Sequence, residues 1–303
     1  MTTATDRWLP QVQRVAEGIR RRVLELVLAN QGGYLSQACS SAEIFATLYT
    51  RVMNLAAVGA PLVPGPFPGV PGPSNQGRLT GARFNGRSSP DHDRFIMSPS
   101  QYALVLYATL VEVGRMVPEG LAQFNVDGSS VEMIGADHSP GLELMSGSLG
   151  QGLSQAAGIA LARRRHGDAG RVWVFMSDGE FQSGQTWETV QTASHLRLDN
   201  LGVYVDVNGH QCDGATRDVM NVEPLDARLK SFGVMVSRID GHDPVKLAAS
   251  ARRRHGRPLF VLCQTDTCRG AEPLRARAPK FHYLRFRDEA ERQQYVSLLQ
   301  RMR

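Results

Sequence analysis

Residues 177–208 read SDGEFQSGQTWETVQTASHLRLDNLGVYVDVN, with an Asp-Gly-Glu near one end and an Asn at the other. Just upstream, Val172-Trp173-Val174-Phe175-Met176 is a short apolar run of the kind that forms a fully buried strand. Residues 201–207 are a second such run, rich in Val and Tyr. Between them, residues 187–198 have helical spacing, with Trp187, Val190, Ala193, Ser194 and Leu198 on one side. Strand, helix, strand is a parallel α/β unit, so both strands end at the same edge of the sheet. Asp178 then lies just past the first strand and Asn208 just past the second. The two converge at the carboxyl edge, where open α/β sheets bind their ligands.

The chemistry of that pair is readable. One carboxylate and one amide oxygen are too few and too hard for zinc, but they suit Mg²⁺ or Ca²⁺, which also take backbone carbonyls, waters and phosphate oxygens. Gly179 lets a ligand approach the backbone. Either residue alone would read as an ordinary loop Asp or turn Asn; the pair at matching strand ends favours the metal. A second signal is Gly147-Ser148-Leu149-Gly150-Gln151-Gly152, which opens a helical stretch over 153–165. A glycine-rich helix entry suits a cofactor lying near the positive end of the helix dipole, or simply close helix packing. It is neither the dinucleotide G-x-G-x-x-G nor a P-loop.

Taken together, several segments resemble the thiamine diphosphate domain of transketolases. They are Met145 through Ser154, Asp178-Gly179-Glu180, Trp187-Glu188, Asp199-Asn200-Leu201, Asn208 and Gln211-Cys212-Asp213-Gly214. Asp93-Arg94-Phe95-Ile96-Met97-Ser98, Asp240-Gly241-His242-Asp243, Ser40-Ser41-Ala42-Glu43-Ile44 and Lys280-Phe281-His282 extend the match, in order, over about residues 15–285. The resemblance implies a doubly wound, mainly parallel sheet with helices on both faces, the diphosphate-binding type of the thiamine diphosphate fold. It implies thiamine diphosphate and Mg²⁺ (or Ca²⁺) as cofactors, the metal held by Asp178, Asn208 and the backbone carbonyl of His210. Gly147, Leu149, Gly179, Glu180 and Asn208 would line the cofactor, with His282 and Gln101 near its diphosphate and thiazolium. His282 would move protons, and Tyr34 and His138 would face substrate.

Transketolases of this family join diphosphate-binding, pyrimidine-binding and C-terminal domains in about twice this length. The 303 residues here are expected to form one diphosphate-type domain over 1–303, without the other two. The resemblance thus implies a split enzyme whose partner carries them and supplies the glutamate that activates the aminopyrimidine, in an α₂β₂ assembly. Departures touch the substrate side. The family's Gly-His-Pro-Gly is Gly32-Gly33-Tyr34-Leu35 here, and the Gly-His after Ser98 is Ser100-Gln101. A family Gly-His-Pro falls at about Gly135-Ala136-Asp137-His138, a family glutamate at the contact between subunits is Ser183, and Glu188 is retained. Imidazole shuttles protons near neutral pH; Tyr holds its proton more tightly and Gln does not titrate. The reading that results is transfer of a two-carbon ketol unit from a ketose phosphate to an unusual aldehyde, one of specialised metabolism on an acidic carrier protein. The alternatives are a 2-oxo acid decarboxylase or acyl transferase subunit, or a non-catalytic scaffold.

Composition adds bounds. A hydrophobic content of 42% with 21% charged residues describes a soluble globular protein. No apolar run reaches membrane-spanning length and no signal-peptide core opens the chain, so a cytoplasmic protein with no membrane partner is expected. The four cysteines, Cys39, Cys212, Cys263 and Cys268, form no C-x-x-C and read as reduced, mostly structural thiols, and the eight histidines show no zinc spacing. The net charge of +5 resides partly in Arg163-Arg164-Arg165-His166-Gly167 and Arg252-Arg253-Arg254-His255-Gly256. Both read as helix C-termini, basic last turns followed by a capping glycine, rather than a nucleic-acid face. Residues 57–90, dense in Pro and Gly, read as a long loop insertion without helix, either decoration or a loop near the substrate entrance.

Overall fold

The computed structural model describes residues 4–76, 79–252 and 256–302, with the backbone alone for 4–7. Five strands form the central sheet: β1 (Arg94–Met97), β2 (Val172–Ser177), β3 (Leu201–Val207), β4 (Met235–Asp240) and β5 (Leu259–Gln264). Their order is β1-β2-β3-β5-β4 and every pairing is parallel. The helices used below are α1 (Ala4–Ala29), α2 (Leu35–Thr47), α3 (Ala103–Glu112), α4 (Gln151–His166), α5 (Gly184–His195), α6 (Leu225–Ser231), α7 (Pro244–Ala251) and α8 (Glu289–Arg301).

The apolar runs are continuous because both faces of the sheet are covered. Alternate side chains go to opposite sides. Phe95, Met97, Trp173, Phe175, Tyr204, Val261 and Cys263 join a core with α1, α2 and α3, together with Leu247 of α7 and Tyr295 of α8. Ile96, Val174, Met176, Val203, Val205, Phe260 and Leu262 join a second core with α4, α5 and α6, through Leu153, Ala156, Val190, Ala193, Leu225 and Leu229. The doubly wound parallel architecture is therefore present. Gly202 of β3 shows how closely the strands fit: a Cβ there would lie 2.4 Å from the Trp173 ring. Gly202→Val is expected to destabilise the chain by about 1–3 kcal/mol or more, measured by urea unfolding.

The readings of the two strands hold to within one residue, but the intervening helix runs from Gly184 to His195, three residues earlier than its apolar spacing indicates. Its first turn is polar, although Thr186 is fully buried and donates to the Glu180 carbonyl at 2.7 Å. It stops early because Arg197 takes a positive φ of 52°, and Leu198 tucks into the core from the following turn.

Of the two arginine runs, the first ends α4 with Gly167 at φ +79° as cap. Arg163 does more than complement a dipole: it is buried, and its Nη2 donates to the carbonyls of Ser89, Pro90 and His92. For the second run, α7 ends at Ala251 with Arg252 as cap, and Arg253, Arg254 and His255 lie outside the described residues.

The insertion at 57–90 is mostly irregular, yet it contains a 3₁₀ turn, Gly81–Asn85, which corrects the reading that Pro and Gly exclude helix there. Local glycine is what permits this turn, since a Cβ at Gly81 would fall 1.7 Å from the Ser139 carbonyl oxygen. The insertion lies along the segment that follows α3. Leu62 N donates to Arg115 O at 3.0 Å, Phe67 N to Gly128 O at 2.9 Å, and Ser130 Oγ to Gly65 O at 2.7 Å. No described helix is long and apolar enough to cross a membrane.

Candidate active site

Asp178 opens a short 3₁₀ turn, Asp178–Gln182, at the carboxyl end of β2 and is 2% exposed. Its Oδ2 accepts from Gly209 N (3.0 Å) and Thr216 Oγ1 (3.2 Å), while its Oδ1 is buried with no hydrogen-bond partner. Burial first, and the Asp206 charge second, push its pKa up to about 7. Such a carboxylate calls for a cation. Asn208 sits at the end of β3, one strand across. Its Oδ1 accepts from His210 N at 2.9 Å, and its Nδ2 donates to Asp206 Oδ2 (3.1 Å) and Tyr102 OH (3.2 Å). The turn 208–210 thereby holds Asp178 and Asn208 together. The His210 ring packs edge-on against Phe281 at 4.7 Å, and burial lowers its pKa.

Beside this pair lies a cavity of about 350 Å³. Its walls include Gln37 of α2, Gln101, Leu149, Gly179, Asn208 and His282. Asp178 itself lines an adjoining cavity of about 390 Å³, and His210 borders both. Gln101 Oε1 is buried without a partner. His282 is held from two sides, by Gln37 Nε2 donating to its carbonyl at 3.1 Å and by the Tyr34 ring edge-on at 5.3 Å. Burial lowers the His282 pKa, so its imidazole is neutral at pH 7. Burial raises that of Tyr34, which keeps its phenolic proton. His282 thus borders the cavity at the end of the parallel sheet, while Tyr34 backs it through the ring contact and is not itself among the cavity-lining residues.

The family described as transketolase, thiamine diphosphate binding domain, matches residues 83–283, more than half of the chain. The chain belongs to the transketolase family. It is 36% identical to a transketolase family protein of Sinorhizobium fredii, over 89% of this chain and 88% of that one. It is 30% identical to 6-deoxy-6-sulfo-D-fructose transketolase subunit SqwG of a Clostridium species, covering 86% of both. It is also 28% identical to an apulose-4-phosphate transketolase subunit of Actinobacillus succinogenes, over 93% and 94% of the two chains. Among solved structures, the transketolase of Campylobacter jejuni superposes with a TM-score of 0.74 at 19% identity, over 96% of this chain and 46% of that one. The chain thus spans about half the length of that solved transketolase, while it matches the subunit-type relatives nearly end to end. It is the thiamine diphosphate-binding part of a transketolase-like enzyme, as the resemblance implied.

For this transketolase-family chain, the oxygen donors fit a hard divalent cation. Asp178 Oδ1 is unpartnered, and Asn208 Oδ1 accepts from His210 N and keeps a free lone pair. Among the described residues no group of three or more His, Cys, Asp and Glu gathers, so zinc-type ligation has no candidate.

The other anticipated residues divide. Leu149 is 45% exposed on the cavity wall. Gly147, at φ +112°, lies against Ser100, where a Cβ would sit 2.6 Å from Oγ, and is not part of the cavity wall. Glu180 turns inward: its carboxylate accepts from Ser98 Oγ (2.5 Å), Gly150 N (3.1 Å) and Ser177 N (3.0 Å). It ties the glycine segment to the strand end. His138 stands apart from the cavity, stacked on Phe67 at 4.2 Å with Nε2 3.0 Å from Glu132. Three cysteines are buried and Cys212 is exposed, all free.

Sequence reasoning missed Asp206, Tyr102, Ser40, Thr265 and Gln37. The available signal was a charged residue at position 206 inside an otherwise apolar strand.

Proposed function

We propose that this chain is the diphosphate-binding subunit of a two-component, thiamine diphosphate-dependent transketolase-like enzyme. It transfers a two-carbon ketol unit from a ketose phosphate to an aldehyde acceptor. We read residues 1–303 as one domain, with the pyrimidine-binding and C-terminal domains on a partner subunit in an α₂β₂ assembly. The observation that carries this reading is the unpartnered Asp178 Oδ1 beside Asn208, next to a cavity bordered by a neutral His282. Exposed Ile134, Met145 and Leu149 support a partner covering this side of the molecule. So do the subunit names of the Clostridium and Actinobacillus relatives.

Thiamine diphosphate, when bound, supplies a nucleophilic carbon and an electron sink for bonds next to a carbonyl. Asp178, Asn208 and the His210 carbonyl would hold Mg²⁺ or Ca²⁺, which neutralises diphosphate charge. Leu149, Gly179 and Gln101 would border the cofactor, with Gly147 and Glu180 shaping the loop behind them. His282 accepts a proton from a substrate hydroxyl and returns it to the product oxygen. Tyr34 would donate a hydrogen bond to a substrate oxygen from beside His282, whereas His138, stacked on Phe67 away from the cavity, has no contact that supports the substrate role the resemblance implied.

The test is to purify the chain with its partner and supply fructose 6-phosphate or xylulose 5-phosphate with an aldehyde. Release of the aldose phosphate two carbons shorter supports the reading. Carbon dioxide from a 2-oxo acid instead would make it a decarboxylase, and no turnover with bound cofactor would make it a scaffold. In the active complex His282→Asn is expected to lower kcat on the order of a hundredfold. Tyr34→Phe should leave cofactor affinity unchanged and lower kcat/KM about tenfold for lack of one hydrogen bond in the transition state. A change in cofactor affinity on Tyr34→Phe would place Tyr34 against the cofactor rather than the substrate.

A further inference from the structure

Asp206 interrupts the apolar run of β3 and is fully buried. Its Oδ2 accepts from Ser40 Oγ (2.6 Å), Tyr102 OH (2.8 Å) and Asn208 Nδ2 (3.1 Å), and its Oδ1 accepts from Thr265 Oγ1 (2.5 Å). The donors arrive from α2, from the turn before α3, from the end of β3 and from the end of β5. Four donors converge on it, and none of them is a cation, so the carboxylate is satisfied by dipoles alone. A buried charge without a counter-ion is costly, and a well-packed apolar residue in its place would avoid the penalty.

Asn208 shows what the carboxylate achieves. An amide has two ends of opposite polarity, and its orientation follows from its partners. Rotated by half a turn, Asn208 would set Oδ1 against Asp206 Oδ2 and Nδ2 against the His210 N–H, two like-polarity clashes. As it stands, Nδ2 faces Asp206 and Tyr102, and Oδ1 faces the turn whose Gly209 amide donates to Asp178.

We propose that Asp206 is a positioning residue for the cation: it fixes the Asn208 amide so that Oδ1 is presented as a ligand beside Asp178. This rests on Asp178 and Asn208 being the cation ligands. Asp206 itself touches neither metal nor cofactor, and it acts through Asn208. Outer partners of metal ligands commonly change metal affinity about 10–100-fold when removed.

The experiment is a Mn²⁺ titration followed by electron paramagnetic resonance, on the chain purified with its partner and saturated with thiamine diphosphate. Asp206→Asn, equal in size, is expected to raise the Mn²⁺ Kd by about tenfold or more. Asn208→Asp should do likewise, because two carboxylates then face each other. The double variant Asp206→Asn, Asn208→Asp restores an amide donating to a carboxylate, now with the carboxylate as ligand. Its Mn²⁺ Kd should return to within about threefold of the parent, well inside the loss from either single change. Tyr102→Phe, which removes the other acceptor of Asn208 Nδ2 and leaves Asp206 in place, should raise the Kd about threefold. It keeps the question decidable if Asp206→Asn does not fold. Parent protein that binds no Mn²⁺ would overturn the ligand assignment itself. Parent binding with Asp206→Asn within twofold of it would overturn the positioning role alone, as would an equal loss in both single variants and the double.

Discussion

Asp178→Ala is expected to reduce the affinity of the partnered chain for thiamine diphosphate with Mg²⁺ on the order of a hundredfold, since it removes the charged ligand of a site with few protein donors. Calorimetric titration reads the change; equal affinity in parent and variant would refute the metal assignment. The same carboxylate predicts a pH dependence with a definite sign. Its folded pKa stands at about 7, above the ordinary 3.8, because it is buried and near Asp206. Between those values Asp178 binds more protons in the folded chain than in the unfolded one, so its own contribution to stability without cation is greatest below about pH 4 and falls as pH rises toward 7. A cation at Oδ1 favours the ionised form and reverses that loss. The rise in Tm on adding Mg²⁺ with cofactor should therefore be small at pH 5 and larger at pH 8. Asp178→Asn separates the two effects. Without cation at pH 8 it should melt higher than the parent, by about 2–4 °C for each kcal/mol of relieved burial penalty, and it should gain little from Mg²⁺. A parent whose melting without cation does not change between pH 5 and 8 would contradict the elevated pKa.

The parts of this arrangement that sequence reveals are those fixed by local rules. β2 and β3 were readable because a strand covered on both faces must be apolar throughout, and Asp178 and Asn208 because each directly follows such a run. β4 was not, since Met235–Asp240 is a half-exposed edge strand whose Ser, Arg and Asp disguise it. The meeting of Tyr34 with His282 depends on Gly32–Gly33 pairing antiparallel with Leu284–Arg285, a contact between distant segments that neither one announces. His138 was placed by likeness to a family motif, with no local constraint behind it, and the fold sets it against Phe67 instead. Asp206 was legible as an anomaly, a carboxylate within an apolar strand, but its meaning needed the four donors that tertiary structure brings to it.

Glu180 yields the second large effect, and it arises through stability rather than ligation. The side chain is fully buried, and its three donors belong to different parts of the chain: Ser98 follows β1, Ser177 ends β2, and Gly150 caps α4. With Ser177 it also forms a reciprocal cap on the 3₁₀ turn that carries Asp178. Glu180→Ala leaves two backbone amides and a hydroxyl buried without an acceptor, each worth about 1–3 kcal/mol, so a loss on the order of 3–6 kcal/mol is expected. Glu180→Gln keeps one acceptor but turns an NH₂ toward a donor, and should lose about 1–3 kcal/mol. Urea unfolding should rank the parent above Gln above Ala. Cofactor affinity should follow the same rank, because Gly150 anchors the loop that sets Leu149 on the cavity wall. If Glu180→Ala unfolds with the parent and binds cofactor as tightly, the glycine segment is held by something other than this carboxylate. If it unfolds early yet binds normally once folded, Glu180 supports the strand ends without shaping the site.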